Sequence, residues 1–326
     1  MRKPLVVVGS LNADLYVEIT ALPRPGETIS GCNAAMRPGG KGANQAAAAA
    51  RLGHPTQLIG QLGTDAFAAL LGQALVEAGV DCQHLARSAG DSGQAMILLQ
   101  AGGENSIIIV GGANQRWTAL ESSAQAALRQ GGALLLQREI PEAVSLAAAR
   151  LARSAGLPVV LDAGGVDAPL APELLAATTC LSPNETELAR LTGLPTGSDA
   201  QVLHAALALQ RGGVGQVLVK LGARGALLLA EDGSVTRQAA FPVAVVDTTG
   251  AGDCFTAAYT VATLEGQGPA SRLAFACAAA ACCVQVKGAM PSMPRRAQVE
   301  HLLHMHMPVH GDGATRGQGH GTGQPS

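Results

Sequence analysis

Val245-Val246-Asp247-Thr248-Thr249-Gly250-Ala251-Gly252-Asp253-Cys254-Phe255 is the stretch whose reading decides the fold. It reads as a strand end, a glycine-rich turn and a helix start. Val243 to Val246 is an apolar, β-branched run, and after Asp253 the residues Phe255, Tyr259 and Ala262 fall on one helical face. Gly250 and Gly252 allow positive φ and expose successive N–H groups. A helix N-terminus behind them adds partial positive charge, so the turn suits a phosphate or a developing anion. Asp253 stands where such an anion would meet a substrate hydroxyl and take its proton. The helix N-terminus is expected to lower its pKa. For an isolated Gly-x-Gly-Asp the plainer reading is an acidic side chain placed favourably in a first helical turn.

The N-terminal part supplies the facing half of a site. Leu5-Val6-Val7-Val8-Gly9-Ser10 is a continuous apolar run ended by glycine, which suits a buried parallel strand. Asn12 and Asp14 follow at its carboxyl end, the ligand side of an open α/β sheet. They suit a polyhydroxylated ligand, and equally they suit a turn. Leu15 to Ile19 alternates as an exposed strand, Pro23, Pro25 and Gly26 mark a turn, and Thr28 to Ala35 gives a second strand. Arg37-Pro38-Gly39-Gly40-Lys41-Gly42-Ala43-Asn44-Gln45 then opens an Ala-rich helix closed by Gly53. It lacks the Gly-Lys-Ser/Thr ending of a Walker A loop. It reads either as a tight turn with a solvated Lys41 or as a close approach of backbone to a ligand, with Asn44 in the first helical turn.

Phe67, Leu70, Leu71, Ala74, Leu75 and Ala78 give helical periodicity closed by Gly79. Gln94 to Leu99 and Ser106 to Val110 read as a hairpin joined through residues 101–105. With residues 15–35 they form a small sheet that breaks the βα alternation, a lid inserted into the main domain from about 14–37 and 93–111. From Thr118 the pattern is βα repetition. Thr118-x-x-Glu121 predicts a capping box, and Ala133 to Leu136 a strand followed by Glu139 on the ligand side. Pro141 suits a first helical position. Val159 to Leu161 leads to Asp162, and Thr179 to Leu181 to Asn184-x-x-Glu187. That pair is either a helix cap or a group that orders water around Mg²⁺, an ion that uses few protein carboxylates. Val217 to Lys220 is a strand, Leu221-Gly222-Ala223-Arg224-Gly225 a turn, and Ala226 to Leu229 a further strand. Residues 269–286 form an Ala-rich helix. Residues 1–307 thus read as one domain, and 308–326 as a disordered Gly- and His-rich tail. The histidines at 301, 304, 306 and 310 have no carboxylate or thiolate partner and are not read as a metal site.

Composition excludes several classes. With 48% hydrophobic residues among 326, a large core is available. Aromatics are only 2%, so that core rests on Ala, Leu and Val, and stacking platforms for single-stranded nucleic acid are lacking. A net charge of −2 without basic runs indicates neither a polyanion nor a membrane surface as partner. The seven cysteines lack metal-ligand spacing and read as free thiols in a reducing compartment. The strand pattern starting at Leu5 leaves no room for a leader, and a cytoplasmic location is expected.

Taken together, Asn12-Ala13-Asp14, Gly39-Gly40-Lys41-Gly42-Ala43-Asn44, Glu139, Asn184-x-x-Glu187, Gly222-x-x-Gly225 and Asp247-Thr248-Thr249-Gly250-Ala251-Gly252-Asp253 resemble the PfkB carbohydrate kinases, most closely the ribokinase branch. The likeness runs from residue 5 to about 305. It implies an α/β, ribokinase-like three-layer sandwich with a central, mostly parallel sheet and a small β-sheet lid. It further implies ATP-dependent phosphorylation of D-ribose at the 5-hydroxyl. Asp253 would be the catalytic base, with Gly250, Ala251 and Gly252 forming an anion hole. Asn12, Ala13, Asp14, Gly40, Lys41, Gly42, Ala43, Asn44 and Glu139 would surround the sugar. Asn184, Lys220, Leu221, Gly222, Ala223, Arg224, Gly225, Gly252, Asp253 and Cys277 would border ATP. Glu187 would place Mg²⁺ through water, and oxygens of Asp247, Thr249, Cys283, Val286, Gly288 and Ser292 would hold an activating K⁺. Pairing of lids implies a homodimer. The chain departs from the branch at Leu161-Asp162-Ala163-Gly164-Gly165, where many members have an Asn-Pro-Ala run, at Lys220, often Thr, and at Cys277, often polar.

Three other functions compete on sequence. One is another sugar or nucleoside kinase of the same family; few aromatics are available to stack a purine. Another is an inactive kinase-like scaffold, against which Asp253, Gly250, Gly252 and Glu187 argue. The last is a dinucleotide-dependent oxidoreductase, which would need a Gly-x-Gly-x-x-Gly turn after the first strand.

Overall fold

The computed structural model describes residues 2–100 and 104–306. The expected tail at 308–326, with His310, and the tip of the lid hairpin at 101–103 lie outside the described residues. In chain order the first elements are β1 (Leu5–Val8), β2 (Asn12–Ile19), β3 (Cys32–Gly39), α1 (Lys41–Arg51), β4 (Thr56–Leu62), α2 (Ala66–Glu77), β5 (Asp81–Arg87), β6 (Gly93–Gln100) and β7 (Asn105–Val110). Then come α3 (Ser122–Gln130), β8 (Ala133–Arg138), α4 (Glu142–Ser154), β9 (Val159–Gly165), α5 (Pro172–Ala177), β10 (Cys180–Ser182), α6 (Glu185–Thr192) and α7 (Asp199–Arg211). The last are β11 (Gln216–Lys220), β12 (Ala226–Leu229), β13 (Val235–Gln238), α8 (Ala251–Leu264), α9 (Pro269–Cys283) and α10 (Arg296–His306).

Nine strands form one sheet in the order β13-β12-β11-β10-β9-β8-β1-β4-β5, parallel except at the β11-β12-β13 edge. Side chains of a strand alternate between faces, and β1 divides its residues accordingly. Leu5 and Val7 enter the core under α1, α2, α8, α9 and α10, while Val6 and Val8 enter the core under α3 to α7. The result is the expected three-layer arrangement. With so few aromatics, the first core is filled by helices that approach closely: Ala46 to Ala49, Ala257, Ala258 and Ala276 to Ala279 are all buried there. Small side chains let α1 pack on α8 and α8 on α9, and this brings polar residues of α1 within reach of α8.

The second sheet has four strands, β3-β2-β6-β7, with β2 parallel to β6 and the outer pairs antiparallel. Among the described residues its own core is Tyr16, Ala95 and Ile97, with Leu99 against them. Ile107, Ile108, Ile109 and Val110 of β7 are exposed.

Local expectations differ from the structure at several points. The run Val243 to Val246 forms no strand; Val245 and Val246 are each 63% exposed. Their segment is tied instead by the Val246 and Asp247 N–H groups, which both donate to the Val284 carbonyl. β-Branching favours a strand only where a partner strand exists. The second lid strand covers Cys32–Gly39 and not Thr28 to Ala35, because its pairing with β2 runs from Cys32 opposite Glu18 to Gly39 opposite Asn12. Thr118 and Glu121 make no capping box: Glu121 is itself the residue before α3 and its side chain caps nothing. Pro141 precedes α4 and does not open it, and α9 stops at Cys283.

A sheet with so small a core should open more readily than its frame. Amide hydrogen exchange should therefore be faster in β6 and β7 than in β1 and β8 of the ligand-free protein. Equal protection of the two sheets would show that the small sheet is as firmly held as the large one.

Candidate active site

Asp253 lies in the first turn of α8, after Gly250, whose left-handed φ of 79° turns the chain into the helix. Its carboxylate is buried at the contact of α8 with α1. Asn44 Nδ2 donates to Oδ2 at 2.9 Å and Gln45 Nε2 to Oδ1 at 3.1 Å. Lys41 Nζ stands 3.7 Å from Oδ1. Gln137 Nε2 in turn donates to Gln45 Oε1 at 2.7 Å, which fixes the Gln45 amide with its donor toward Asp253. The two distant glycine-rich stretches therefore meet at one carboxylate. Burial raises the Asp253 pKa, and the charge of Asp162 adds to this; Lys41 and the Asn44 hydrogen bond pull it back without reversing the direction. The expected lowering by the helix N-terminus is overturned, because desolvation outweighs a partial charge that the amides and Lys41 only supplement.

On the lid side, β2 carries Asn12, Ala13 and Asp14, all buried. Asn114 Nδ2 donates to Asn12 Oδ1 at 2.8 Å and holds that amide. Glu139 Oε2 accepts from Ser10 Oγ at 2.6 Å and from the Lys41 N–H at 3.0 Å. Gly40 and Gly42 bracket the start of α1. Gly42 permits the approach of that helix to the β1–β2 turn, since a Cβ there would sit 2.6 Å from the Ser10 nitrogen. Ala43 donates its N–H to the Ser10 carbonyl. Burial pushes the Asp14 carboxyl up, and the charges of Glu139 and Asp253 push it further, to about 7. Asn44 Oδ1 is buried and unpartnered among the described residues.

Between α1, α6 and α8 opens a cavity of about 400 Å³ lined by Lys41, Asp162, Asn184, Glu187, Lys220, Gly222, Thr248, Gly250, Gly252 and Asp253, with Glu185 and Thr186. Asn184 and Glu187 do form a capping box: Asn184 Oδ1 accepts the Glu187 N–H, and Glu187 Oε2 accepts the Asn184 N–H, both at 2.8 Å. The Glu187 side chain still lines the cavity, so cap and site reading coexist. Of the segment Lys220 to Gly225, Lys220 and Gly222 reach the cavity. Leu221 is buried in the core, Arg224 pairs with Asp199 and Glu185, and Ala223 is exposed. Gly225 has a φ of 92° and abuts the Gln238 carbonyl. Cys277 is buried within α9 in the first core. At the turn before α8, the Ala251 N–H is taken by the Thr248 carbonyl at 3.2 Å, which leaves the N–H groups of Gly252 and Asp253 in the unpaired first turn.

A further group of expected residues comes together beside this turn. Asp247 Oδ1 accepts from the Thr249 N–H and Oγ1, and Oδ2 from the Gly288 N–H at 2.8 Å. Cys283 Sγ and Ser292 Oγ are 3.0 Å apart, and the Val286 N–H donates to the Cys283 carbonyl. Burial alone would raise the Asp247 carboxyl, but the Thr249 and Gly288 hydrogen bonds and the nearby Arg37 hold it below its usual value. Five residues of the site escaped sequence reasoning: Ser10, Gln45, Asn114, Gln137 and Thr256, the last donating to Asp162 Oδ2 at 2.7 Å. Only Gln45 carries a local signal. Lys41, Asn44 and Gln45 stand at helical spacing i, i+3, i+4 and so share one face.

Comparison with known proteins is consistent with this geometry. The profile of the pfkB family carbohydrate kinases matches residues 2–296. The chain is 50% identical over 307 residues to the ribokinase of Arabidopsis thaliana, covering 92% of this chain and 81% of that one. It is 36% identical to the ribokinase of Haemophilus influenzae, covering 93% of this chain and 99% of that one. The solved structure of Arabidopsis thaliana ribokinase complexed with ribose and ATP superposes with a TM-score of 0.90 at 49% identity, over 93% of this chain and 99% of that one. The chain belongs to the PfkB family of carbohydrate kinases.

Proposed function

We propose that the protein transfers the γ-phosphoryl group of ATP to the 5-hydroxyl of D-ribose, giving D-ribose 5-phosphate and ADP. The observation that carries this reading is the position of the Asp253 carboxylate. It is held by Asn44 and Gln45 at the edge of the cavity headed by the α8 N-terminus, close enough to the lid root for its charge to act on Asp14. Asn12, Asp14, Asn44 and Glu139 supply acceptors and donors for sugar hydroxyls, and the free Asn44 Oδ1 is one such acceptor. The 5-oxygen forms its bond to the γ-phosphorus as the bond to the bridging oxygen breaks. ADP leaves with that electron pair, and the hydroxyl proton passes to Asp253. A buried carboxylate of raised pKa is a better base than an exposed one, and its two oxygens keep lone pairs beyond those used by Asn44 and Gln45. Gly252 and Asp253 N–H groups stabilise charge on the transferring group, the dominant need of a loose transition state. The same reading takes residues 1–307 as one catalytic domain whose small sheet covers the sugar and excludes water.

Hard oxygen donors suit both expected ions. Glu187 and Asn184 would hold Mg²⁺ through water beside the nucleotide phosphates, where the ion would neutralise phosphate charge. The oxygens of Asp247, Thr249, Cys283, Val286, Gly288 and Ser292 would hold K⁺; Asp247, kept anionic, supplies the charge. The exposed β7 residues Ile107, Ile108, Ile109 and Val110 support pairing of two lids in a homodimer. Among the described residues no helix is long and apolar enough to cross a membrane, and we place the enzyme in the cytoplasm.

An ATP-consumption screen across pentoses, fructose and adenosine, with and without K⁺ and Mg²⁺, tests the assignment, with ribose expected to give the highest turnover. Asp253→Asn should lower kcat by ~10²–10⁴-fold while calorimetry still detects ribose binding. Turnover on ribose no greater than on fructose or adenosine would end the reading.

Asp14 generates a pH prediction. Its folded pKa of about 7 lies above the ordinary value of 3.8, so its contribution to stability is complete below 3.8 and is lost as pH rises through 7. Asp14→Asn, which does not titrate, should therefore be more stable than the parent at pH 8, by about 1–3 kcal/mol, with the gap narrowing as pH falls below 7 and closing only near 3.8. Ribose KM of the variant should be raised at every pH. A variant less stable than the parent at pH 8 would show that Asp14 is not under the repulsion described. Ile108→Lys, placed on the exposed edge strand, should shift a dimer toward monomer in sedimentation without unfolding it, and an unchanged sedimentation coefficient would exclude pairing through β7.

A further inference from the structure

Asp253, Lys41, Asp162 and Lys220 form a row of alternating charge along the cavity wall. Lys41 Nζ is 3.7 Å from Asp253 Oδ1, and Lys220 Nζ is 2.8 Å from Asp162 Oδ2. Between these pairs, a Cβ at Gly164 would meet Lys41 Nζ at 2.9 Å and Asp162 Oδ1 at 3.0 Å, so both groups crowd the same glycine. Asp162 is 1% exposed by side chain and Lys220 12%, and all four residues line the cavity of about 400 Å³. The Asp162 carboxylate is gripped on both oxygens: the Gly164 N–H donates to Oδ1 at 2.9 Å, and Thr256 Oγ1 to Oδ2 at 2.7 Å. Burial alone would raise its pKa, but Lys220 and Lys41 with these hydrogen bonds hold it below the usual value, so it stays ionised.

Lys220 ends β11 and its main chain is fastened to the Pro183 carbonyl beside Asn184. From there the side chain spans the cavity to the α8 N-terminus. A Cβ at Gly252 would stand 3.6 Å from Lys220 Nζ. The ammonium thus lies beside Gly252, in the first turn whose N–H groups are unpaired. An ion pair kept only for stability gains nothing from an opening onto a cavity, since a buried pair is seldom better than an apolar one. A cation held beside unpaired N–H groups has an evident use when a phosphoryl group enters.

We propose that Lys220 is a further catalytic residue, whose ammonium contacts the transferring phosphoryl group at the α8 N-terminus, and that Asp162 is the positioning residue that holds it there. This rests on the phosphoryl-transfer reading above. Lys220 adds a fixed positive charge where negative charge is handed from donor to acceptor, a few ångströms from the base. Asp162, clamped by Gly164 and Thr256, limits the long lysine side chain to the conformation that reaches Gly252, and it lies too deep to meet the phosphates itself.

Steady-state kinetics on Lys220→Met, Asp162→Asn, the double variant carrying both, and the parent test this. Lys220→Met should lower kcat on the order of 100-fold, with ribose KM within about threefold of the parent. The double variant removes both charges of the buried pair, which protects its fold, and should remain as slow as Lys220→Met. Lys220→Arg should recover part of the loss. The proposal is overturned if the double variant regains kcat to within about threefold of the parent, because the pair would then serve only the fold. It is equally overturned if kcat and ribose binding fall together in a variant with the parent's melting temperature. A parent that shows no turnover on ribose sinks the kinase assignment itself, which separates the two failures.

Discussion

The structure depends on keeping one carboxylate out of water without leaving it uncompensated. An ionised aspartate between two packed helices is costly unless donors surround it. Asp253 is only 4% exposed, and Asn44, Gln45 and Lys41 from one turn of α1 meet it. Those side chains reach only because α1 and α8 approach over alanine. Larger residues at Ala46, Ala47, Ala257 or Ala258 would move the helices apart and strand the carboxylate. The alanine-rich composition, the helix packing and the buried carboxylate are therefore one arrangement. The amides also explain how Asp253 is raised in pKa yet held in a single orientation: neutral donors orient a carboxylate without the full stabilisation a hydrogen-bonded cation in contact would give.

The sugar side stores repulsion. Burial raises the proton affinity of Asp14 and of Asp253; the charges of Glu139 and Asp253 add to it at Asp14, and those of Asp162 and Glu139 at Asp253. A globule selected for stability alone would not gather these groups. On the proposed reading, hydroxyl donors of a bound sugar would satisfy them and relieve that repulsion. The row of charge along the cavity under the α8 N-terminus is balanced within the protein, its two lysines standing beside Asp253 and Asp162.

How far the sequence discloses this arrangement depends on the range over which each interaction acts. The buried β1 run, the α6 cap at Asn184 and Glu187, and the turn at Gly250 follow from local rules, and the structure places them as those rules require. The convergence of Asn44 with Asp253 is not local; it came from resemblance, and no periodicity implies it. Local rules failed where a partner decides. Val245 and Val246 have strand propensity but no strand to pair with, and Thr118 and Glu121 have the right spacing but lie before the helix start. The sign of the Asp253 shift failed for a related reason: a helix terminus is visible in sequence, whereas complete desolvation is a property of the packed neighbours. Asp162 and Lys220 looked like two separate departures at positions 58 residues apart. Folded, they are a single ion pair, and parallel neighbours in the sheet order explain why: β9, β10 and β11 bring both strand ends to the same rim.

Chain connectivity ties the lid to the chemistry. β2 leaves β1 after three residues, and its first residues are Asn12, Ala13 and Asp14. Asn12 pairs with Gly39 on one side and Gly93 on the other, so β3, β2 and β6 are joined at the root where the sugar-binding candidates stand. The frame behind that root is fixed by β1, α1 and α8. A ligand that bridges Asp14 on the root and Asp253 on the frame must therefore fix the angle between the two sheets. The small core of the lid sheet means that its position over the frame rests chiefly on this root and on contacts such as Lys287 with Glu18.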